Sequence, residues 1–444
     1  MKISETLSRT LRVRTWLFVM LATALATVPS QSDAKSQTPP DPVRSWNQLA
    51  LRTVREKSAS DAQAARLYAM VNIAIYDAVN GIITRHGAHT GRQHALVPGN
   101  NAPPQGDLYS AAAAAAHAVL AGEYPDLKAS LYDPQLASDL AASGKKKPDP
   151  GQQWGANVGA QVRAIRANDG SKPSETQPAG AGPGKFRAPW SGVQFRNLVP
   201  FGIADSSVYV GSGPPPLTSL DYAGAWAEVK LIGNAANPDQ GKLDTFRFWS
   251  LGGGTSQPPD AWIQVALAVT SAHPLALPEQ SRLFALVSMA LADTVAPTVA
   301  TKFIYRHWRP ATAIREANTD NNPLTEPADP SWNPRAGGIG TSPEYWSGHS
   351  SFSAAGAAAL QGFYCADDIT FTLLSDSAPG GQARTYPSFS AAAKEAGESR
   401  VVGGIHFEFG NEDGLAAGRA IAEEILAKKL LLRNGPTHFG QCPR

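Results

Sequence analysis

Three short blocks in the last third of this 444-residue chain contain the side chains best suited to chemistry: Lys302 to Pro310 (KFIYRHWRP), Ser347-Gly348-His349, and Ser399 to Phe407 (SRVVGGIHF). They supply the cations Lys302, Arg309 and Arg400, the hydroxyl of Ser347, the amide of Gly348 and the imidazoles of His349 and His406. Three cations match the charge of a phosphate-like trianion, and arginine adds planar, paired hydrogen bonds that lysine lacks. Two imidazoles on opposite sides of a tetrahedral centre allow in-line chemistry, with one attacking or ligating and the other moving protons.

The elements that must position these groups follow from spacing. Lys302 and Arg309 are seven apart, which on one helix leaves them about 20° from two full turns and roughly 10 Å apart on a shared face. Pro310 then ends that helix, because it disfavours helical geometry at Arg309. Ser347-Gly348-His349 precedes an Ala-rich run, Ala354 to Leu360, and so stands at a helix N-terminus, where free amides and the positive dipole end bind anions. Arg400 and His406 would lie about 240° apart on a continuous helix. Gly403-Gly404 breaks that helix and lets both reach one ligand. Taken singly, each block also reads as solvated charges, a helix cap, or a loop arginine beside a buried histidine; the set is what points to an oxyanion site.

Upstream, helical patterns dominate and strand patterns hardly occur, which predicts an all-α helical-bundle architecture. Asp61 to Asn80 reads as a buried helix ending at Gly81, and Asp107 to Gly122, with six consecutive alanines, carries the strongest helix propensity. Further helices are expected near 151–167, 221–232, 260–270, 279–295, 300–308, 348–363, 390–398 and 412–431. Between them runs a long Gly- and Pro-rich stretch, residues 179–216, of the kind that wraps a surface or serves a site.

The first residues form a separate unit. Arg9, Arg12 and Arg14 precede the apolar run Trp16 to Val28, so residues 1–34 read as a secretory signal, cleaved after Ala26 or Ala34, and the protein is expected to be secreted or periplasmic. Its removal leaves 35 basic and 35 acidic residues. That balance predicts no nucleic-acid partner, and no membrane span is expected after cleavage. Lys145-Lys146-Lys147 reads as a solvated cluster. The two cysteines, Cys365 and Cys442, could pair in an oxidising compartment or remain free. The spacing of His86, His89 and His94 could recruit zinc but reads more simply as a surface loop. Gly252-Gly253-Gly254 lacks the Lys-Ser/Thr of a phosphate loop and reads as a turn. His307 stands beside the anion-binding face, to hydrogen-bond there or cap the helix.

The three blocks together resemble the pattern K-x6-RP, PSGH, SR-x5-H of the vanadium-dependent haloperoxidase and type 2 phosphatidic acid phosphatase superfamily. Flanking segments are similar to its exported bacterial haloperoxidase branch: Trp308-Arg309-Pro310 with Thr312 to Arg315, Asp329 to Pro334, Pro343-Glu344-Tyr345, Tyr76 to Val79, Val199 to Phe201, and Pro214 to Tyr222. The resemblance implies a haloperoxidase-like helical domain over residues 35–444, with the anion-site half at about 260–435. It implies that Lys302, Arg309, Arg400, Ser347 and the Gly348 amide hold vanadate. His406 would be the one protein ligand to the metal, and His349 the acid–base residue. Hydrogen peroxide, halide and an organic acceptor would be the substrates, and a homodimer is compatible with the pattern.

A phosphatase would use the same residues without vanadate, with His406 attacking phosphorus and His349 protonating the leaving group. A non-catalytic oxyanion-binding protein is the third reading. Three departures bear on the choice. Trp346 replaces the proline of PSGH. Ser342 stands where relatives carry Phe or His, which leaves halide preference open. Gly410 replaces an aspartate that orients the histidine in phosphatases, which argues against that branch unless Glu408, Glu412 or Asp413 substitutes.

Overall fold

The structure is a computed structural model that describes residues 41–85, 93–144 and 149–431. The expected signal segment, His86, His89, the Lys145–Lys147 run and Cys442 lie outside them. Cys365 is disulfide-bonded.

Helices build the fold, as expected from the sequence. The first group is α1 (Pro42–Lys57), α2 (Asp61–Arg85), α3 (Leu108–Glu123), α4 (Asp133–Ala142) and α5 (Pro150–Ile165). After the long connection come α6 (Leu220–Ile232), α7 (Gln240–Phe248), α8 (Pro258–Ala272), α9 (Leu277–Asp293), α10 (Val295–Tyr305) and α11 (Pro310–Arg315). The last group is α12 (Gly348–Tyr364), α13 (Phe389–Val402) and α14 (Glu408–Lys428). Strand is confined, among the described residues, to two antiparallel ribbons, β1 (Thr176–Gln177) with β2 (Trp190–Ser191) and β3 (Phe371–Leu373) with β4 (Arg384–Tyr386).

Helix α2 is buried nearly all round, and the polar Asn72 at its centre is satisfied by Asn47 of α1 and Ser288 of α9, so a hydrogen-bonded bridge ties three helices together. Helix α2 and the segment 277–305 are long and apolar enough to cross a membrane, yet 89% of each apolar window is buried inside the fold. Gly81 does not end α2 as expected. A Cβ there would stand 2.9 Å from the Trp154 ring, so the glycine serves close packing inside a helix that continues to Arg85.

Two packing devices position the site. A Cβ on Gly418 of α14 would stand 2.0 Å from the Ser351 carbonyl, so α14 runs directly against the first turn of α12. At the end of α9, Asp293 accepts hydrogen bonds from the amides of Phe201, Gly202 and Ile203, which anchors the 179–216 excursion. That excursion then pairs with the Lys302–Pro310 block: the Phe186 amide donates to Arg306 O (2.7 Å) and the Trp308 amide to Gly184 O (3.0 Å).

Candidate active site

Lys302 sits in the last turn of α10, whose helix stops at Tyr305 because Arg306 adopts a left-handed conformation (φ 52°). Arg309 is therefore not on the same helix, and the expectation of one shared face fails. Pro310 starts helix α11, with Arg309 as its cap, because a proline at the first helical position loses no hydrogen bond. The turn between them, not helical periodicity, aims both cations at one place.

Ser347 caps α12, its Oγ accepting from the Ser350 amide (3.2 Å), as the Ser-before-alanine pattern predicts. Arg400 lies in the last turn of α13, and the chain reverses through Gly403 and Gly404 (φ 75°) to present His406.

Lys302, Arg309, Gly348, His349, Arg400 and His406 all line one cavity of about 510 Å³. Ser347 does not line it: the side chain is fully buried, and its hydroxyl lies 2.8 Å from that of Ser350 as part of the cap. Gly348 does face it. A Cβ there would meet nothing nearer than 3.7 Å, so the glycine is not required by packing and keeps cavity space clear at a helix N-terminus.

The ring nitrogens of His406 can be assigned from their partners. Glu344 Oε1 stands 3.0 Å from Nδ1, and a carboxylate can only accept, so Nδ1 carries the proton. Nη1 of Arg309, which can only donate, is 2.8 Å from Nε2 and also donates to Ile405 O (2.6 Å). Nε2 therefore offers its lone pair on the cavity side. Burial, and then the charge of Arg309, hold the His406 pKa well below that of free histidine.

Glu344 is the site residue that sequence reasoning passed over, quoted only as flanking text. It is fully buried and shared: Oε1 also accepts from the Phe407 amide (3.1 Å), and Oε2 lies 3.2 Å from Nδ1 of His307. Burial pushes its pKa up, but the hydrogen bonds from His307 and His406 win and hold it at about 2, so the carboxylate stays ionised. A Cβ on Gly410 would stand 2.2 Å from Glu344 Oε1. The glycine is thus what admits the glutamate, and Glu344 does what was expected of Glu408, Glu412 or Asp413. Of those, Glu408 bonds Asn411 and Asp413 accepts from the Tyr345 hydroxyl. His307 neither faces the anion nor caps a helix.

Nε2 of His349 lies 3.0 Å from Ser250 O, so in the neutral ring that nitrogen carries the hydrogen; burial and the nearby Arg400 lower its pKa well below the usual value. Arg400 donates to Trp249 O (3.3 Å), but its buried Nε has no partner. Lys302 donates to the carbonyls of Pro343 and Glu344 (3.2 Å to the latter), and burial plus Arg309 depress its pKa. Arg309 is fixed further by Ser342, whose O accepts from Nε at 2.8 Å. Asp61, at the start of α2, also lines the cavity. Burial lifts its pKa while the Ala62 amide and the charge of Lys302 oppose that shift. No group of three or more metal-ligating side chains is found among the described residues, which include His94 but not His86 or His89, and Gly253 of the glycine run is part of the cavity wall.

The orphaned Arg400 Nε and the open space at Gly348 fit an oxyanion held by hydrogen bonds and one imidazole rather than a metal held in a cage of ligands. Residues 282–435 match the family model of the VCPO second helical-bundle domain. The chain has the fold of a bacterial vanadium-dependent iodoperoxidase (20% identity, 89% of this chain and 98% of that one, TM-score 0.72). It is likewise similar to a holo-type bacterial vanadium-dependent chloroperoxidase (15%, 88% and 96%, TM-score 0.62) and to an apo-type one (14%, 82% and 92%, TM-score 0.60). No curated protein matches the sequence. The domain match covers the C-terminal helical bundle, and the fold of the chain is the one these bacterial vanadium-dependent peroxidases share.

Proposed function

We propose that this protein is a vanadate-dependent haloperoxidase that oxidises halide with hydrogen peroxide to hypohalous acid. The observation that supports it most directly is His406, whose Nε2 lone pair faces the same cavity as the unpartnered donor of Arg400. Bound there through Nε2, vanadate would supply a Lewis-acidic centre that activates hydrogen peroxide toward halide.

The chain's own residues do the rest. Lys302, Arg309 and Arg400 balance the oxyanion's charge, and the Gly348 amide adds a hydrogen bond at the N-terminus of α12. To free Nε2 of His406, Arg309 must move its Nη1 from the imidazole to an oxyanion oxygen, which offers a stronger, charge-assisted partner. His349, with its hydrogen committed to Ser250 O, keeps Nδ1 for taking and returning a proton. Export of the protein to the periplasm or beyond, and an organic acceptor as the final target of the hypohalous acid, belong to the same proposal.

Glu344 gives a second reading specific support. A carboxylate on Nδ1 makes Nε2 a better nucleophile as well as a better ligand, so the vanadate-free protein is also equipped to attack a phosphomonoester. The test runs both reactions in parallel: bromination of a phenolic dye with peroxide after vanadate loading, and p-nitrophenyl phosphate hydrolysis without it. Vanadate-dependent bromination is the expected result. Hydrolysis with no bromination would replace the first reading with the second, and phosphate binding without either reaction would leave an oxyanion-binding protein.

A further inference from the structure

The cavity is larger than its anion site requires. Its volume of about 510 Å³ lies within the range of pockets that hold organic ligands, roughly 300–1,000 Å³. Six of the seven motif residues account for only part of its lining. The rest of the wall comes from elsewhere, including Asp61 at the start of α2, and Trp190 and Phe195 from the excursion that Asp293 anchors.

Asp61 is the one carboxylate on that wall. Its Oδ1 accepts from the Ala62 amide (2.8 Å), while Oδ2 has no hydrogen-bond partner among the described residues and lies 4.0 Å from where a Cβ on Gly348 would stand. A carboxylate beside an anion site weakens anion binding unless something else uses it. It does not pair directly with Lys302, whose ammonium donates instead to Pro343 and Glu344 carbonyls. Once an oxyanion engages Lys302, Arg309 and Arg400, the charge left without a counter-ion on the cavity wall is that of Asp61.

We propose that the part of the cavity lined by Asp61, Trp190 and Phe195 is a subsite for a small aromatic molecule bearing a protonated amine. Asp61 Oδ2 takes the ammonium, and the rings of Trp190 and Phe195 face the aromatic body. Calling this molecule the acceptor of the halogenation rests on the peroxidase reading; its binding does not. The arrangement places an electron-rich ring within the cavity where hypohalous acid would form, so halogenation would occur before that oxidant escapes.

The test uses tryptamine and its neutral analogue tryptophol as probes, with inorganic phosphate filling the anion site, and measures binding by calorimetry to the wild-type chain and to Asp61→Asn. The wild type should prefer tryptamine by about tenfold, the size of one charge-assisted hydrogen bond. Phosphate should enlarge that preference, and tryptamine should tighten phosphate binding by the same factor. Asp61→Asn should erase the preference while still binding phosphate, which reports an intact cavity. Equal binding of the two probes by the wild type, or a preference that survives in Asp61→Asn, would overturn the subsite. If dye bromination is retained, that result leaves the peroxidase reading standing; a tryptamine preference without bromination keeps the subsite and removes the peroxidase reading.

Discussion

Glu344 Oε1 lies 3.0 Å from Nδ1 of His406, in the space that any side chain at position 410 would need. The two positions are 66 residues apart in sequence and exclude each other in space, so the histidine receives its carboxylate from the segment before the Ser-Gly-His block. The absence of an aspartate at position 410 therefore says nothing against phosphatase chemistry, because the physical requirement it serves is met.

Replacing Glu344 tests this directly. Glu344→Gln keeps the shape but puts an amide N–H against one of two imidazole donors, so His406 loses its fixed tautomer. Vanadate affinity should fall by about 10- to 100-fold with the fold intact, and Glu344→Asp should recover part of it. Gly410→Asp should also lose affinity, because its Cβ collides with Glu344. A vanadate titration followed by calorimetry measures all three, and unchanged affinity in Glu344→Gln would show that His406 needs no carboxylate.

His349→Ala separates binding from proton transfer. The side chain donates to the Ser250 carbonyl and lends no net charge while its pKa stays depressed, so oxyanion affinity should change little. Turnover should drop by about 10²- to 10⁴-fold, the usual contribution of a general acid–base group. Steady-state kinetics beside a binding isotherm decide it; an equal loss in both would mean the residue only holds the anion.

The alkaline limit of anion binding should report Lys302. Burial and Arg309 pull its pKa down from the ordinary lysine value, so its charge is present at low pH and lost as pH rises through the lowered pKa. Burial also lowers the guanidinium values, to about 10 for Arg309 and about 9 for Arg400, so a Lys302 variant is needed to assign the limb. Phosphate affinity should accordingly weaken on the alkaline side below the ordinary lysine pKa, and Lys302→Arg should move that limb to higher pH. A limb that stays in place in the variant would assign it to another group.

Asp293→Ala should destabilise the protein by about 3 kcal/mol, since three amides of the excursion lose a charged acceptor in a buried setting. Urea unfolding gives the loss. Because the same excursion carries Trp190 and Phe195, tryptamine binding should weaken as well.

Local chemistry was readable from the chain alone wherever it depends on near neighbours. Ser347 capping an alanine-rich run, the break at Gly403-Gly404 and the buried helix from Asp61 all follow from capping, propensity and periodicity, which act over a few residues. The motif spacing was enough to group six residues that do line one cavity. It misjudged the route: Lys302 and Arg309 meet across a turn at Arg306, because a proline after Arg309 starts a helix there instead of ending one. It also assigned Ser347 to the anion, although the tight first turn of α12 against α14 commits that hydroxyl to the cap. What only the tertiary structure decided is long-range by nature. Which carboxylate reaches His406 depends on a vacancy at Gly410, and Asp61 meets the anion site from a helix more than two hundred residues earlier. Neither spacing nor composition encodes such a meeting; it is set by how the helices pack.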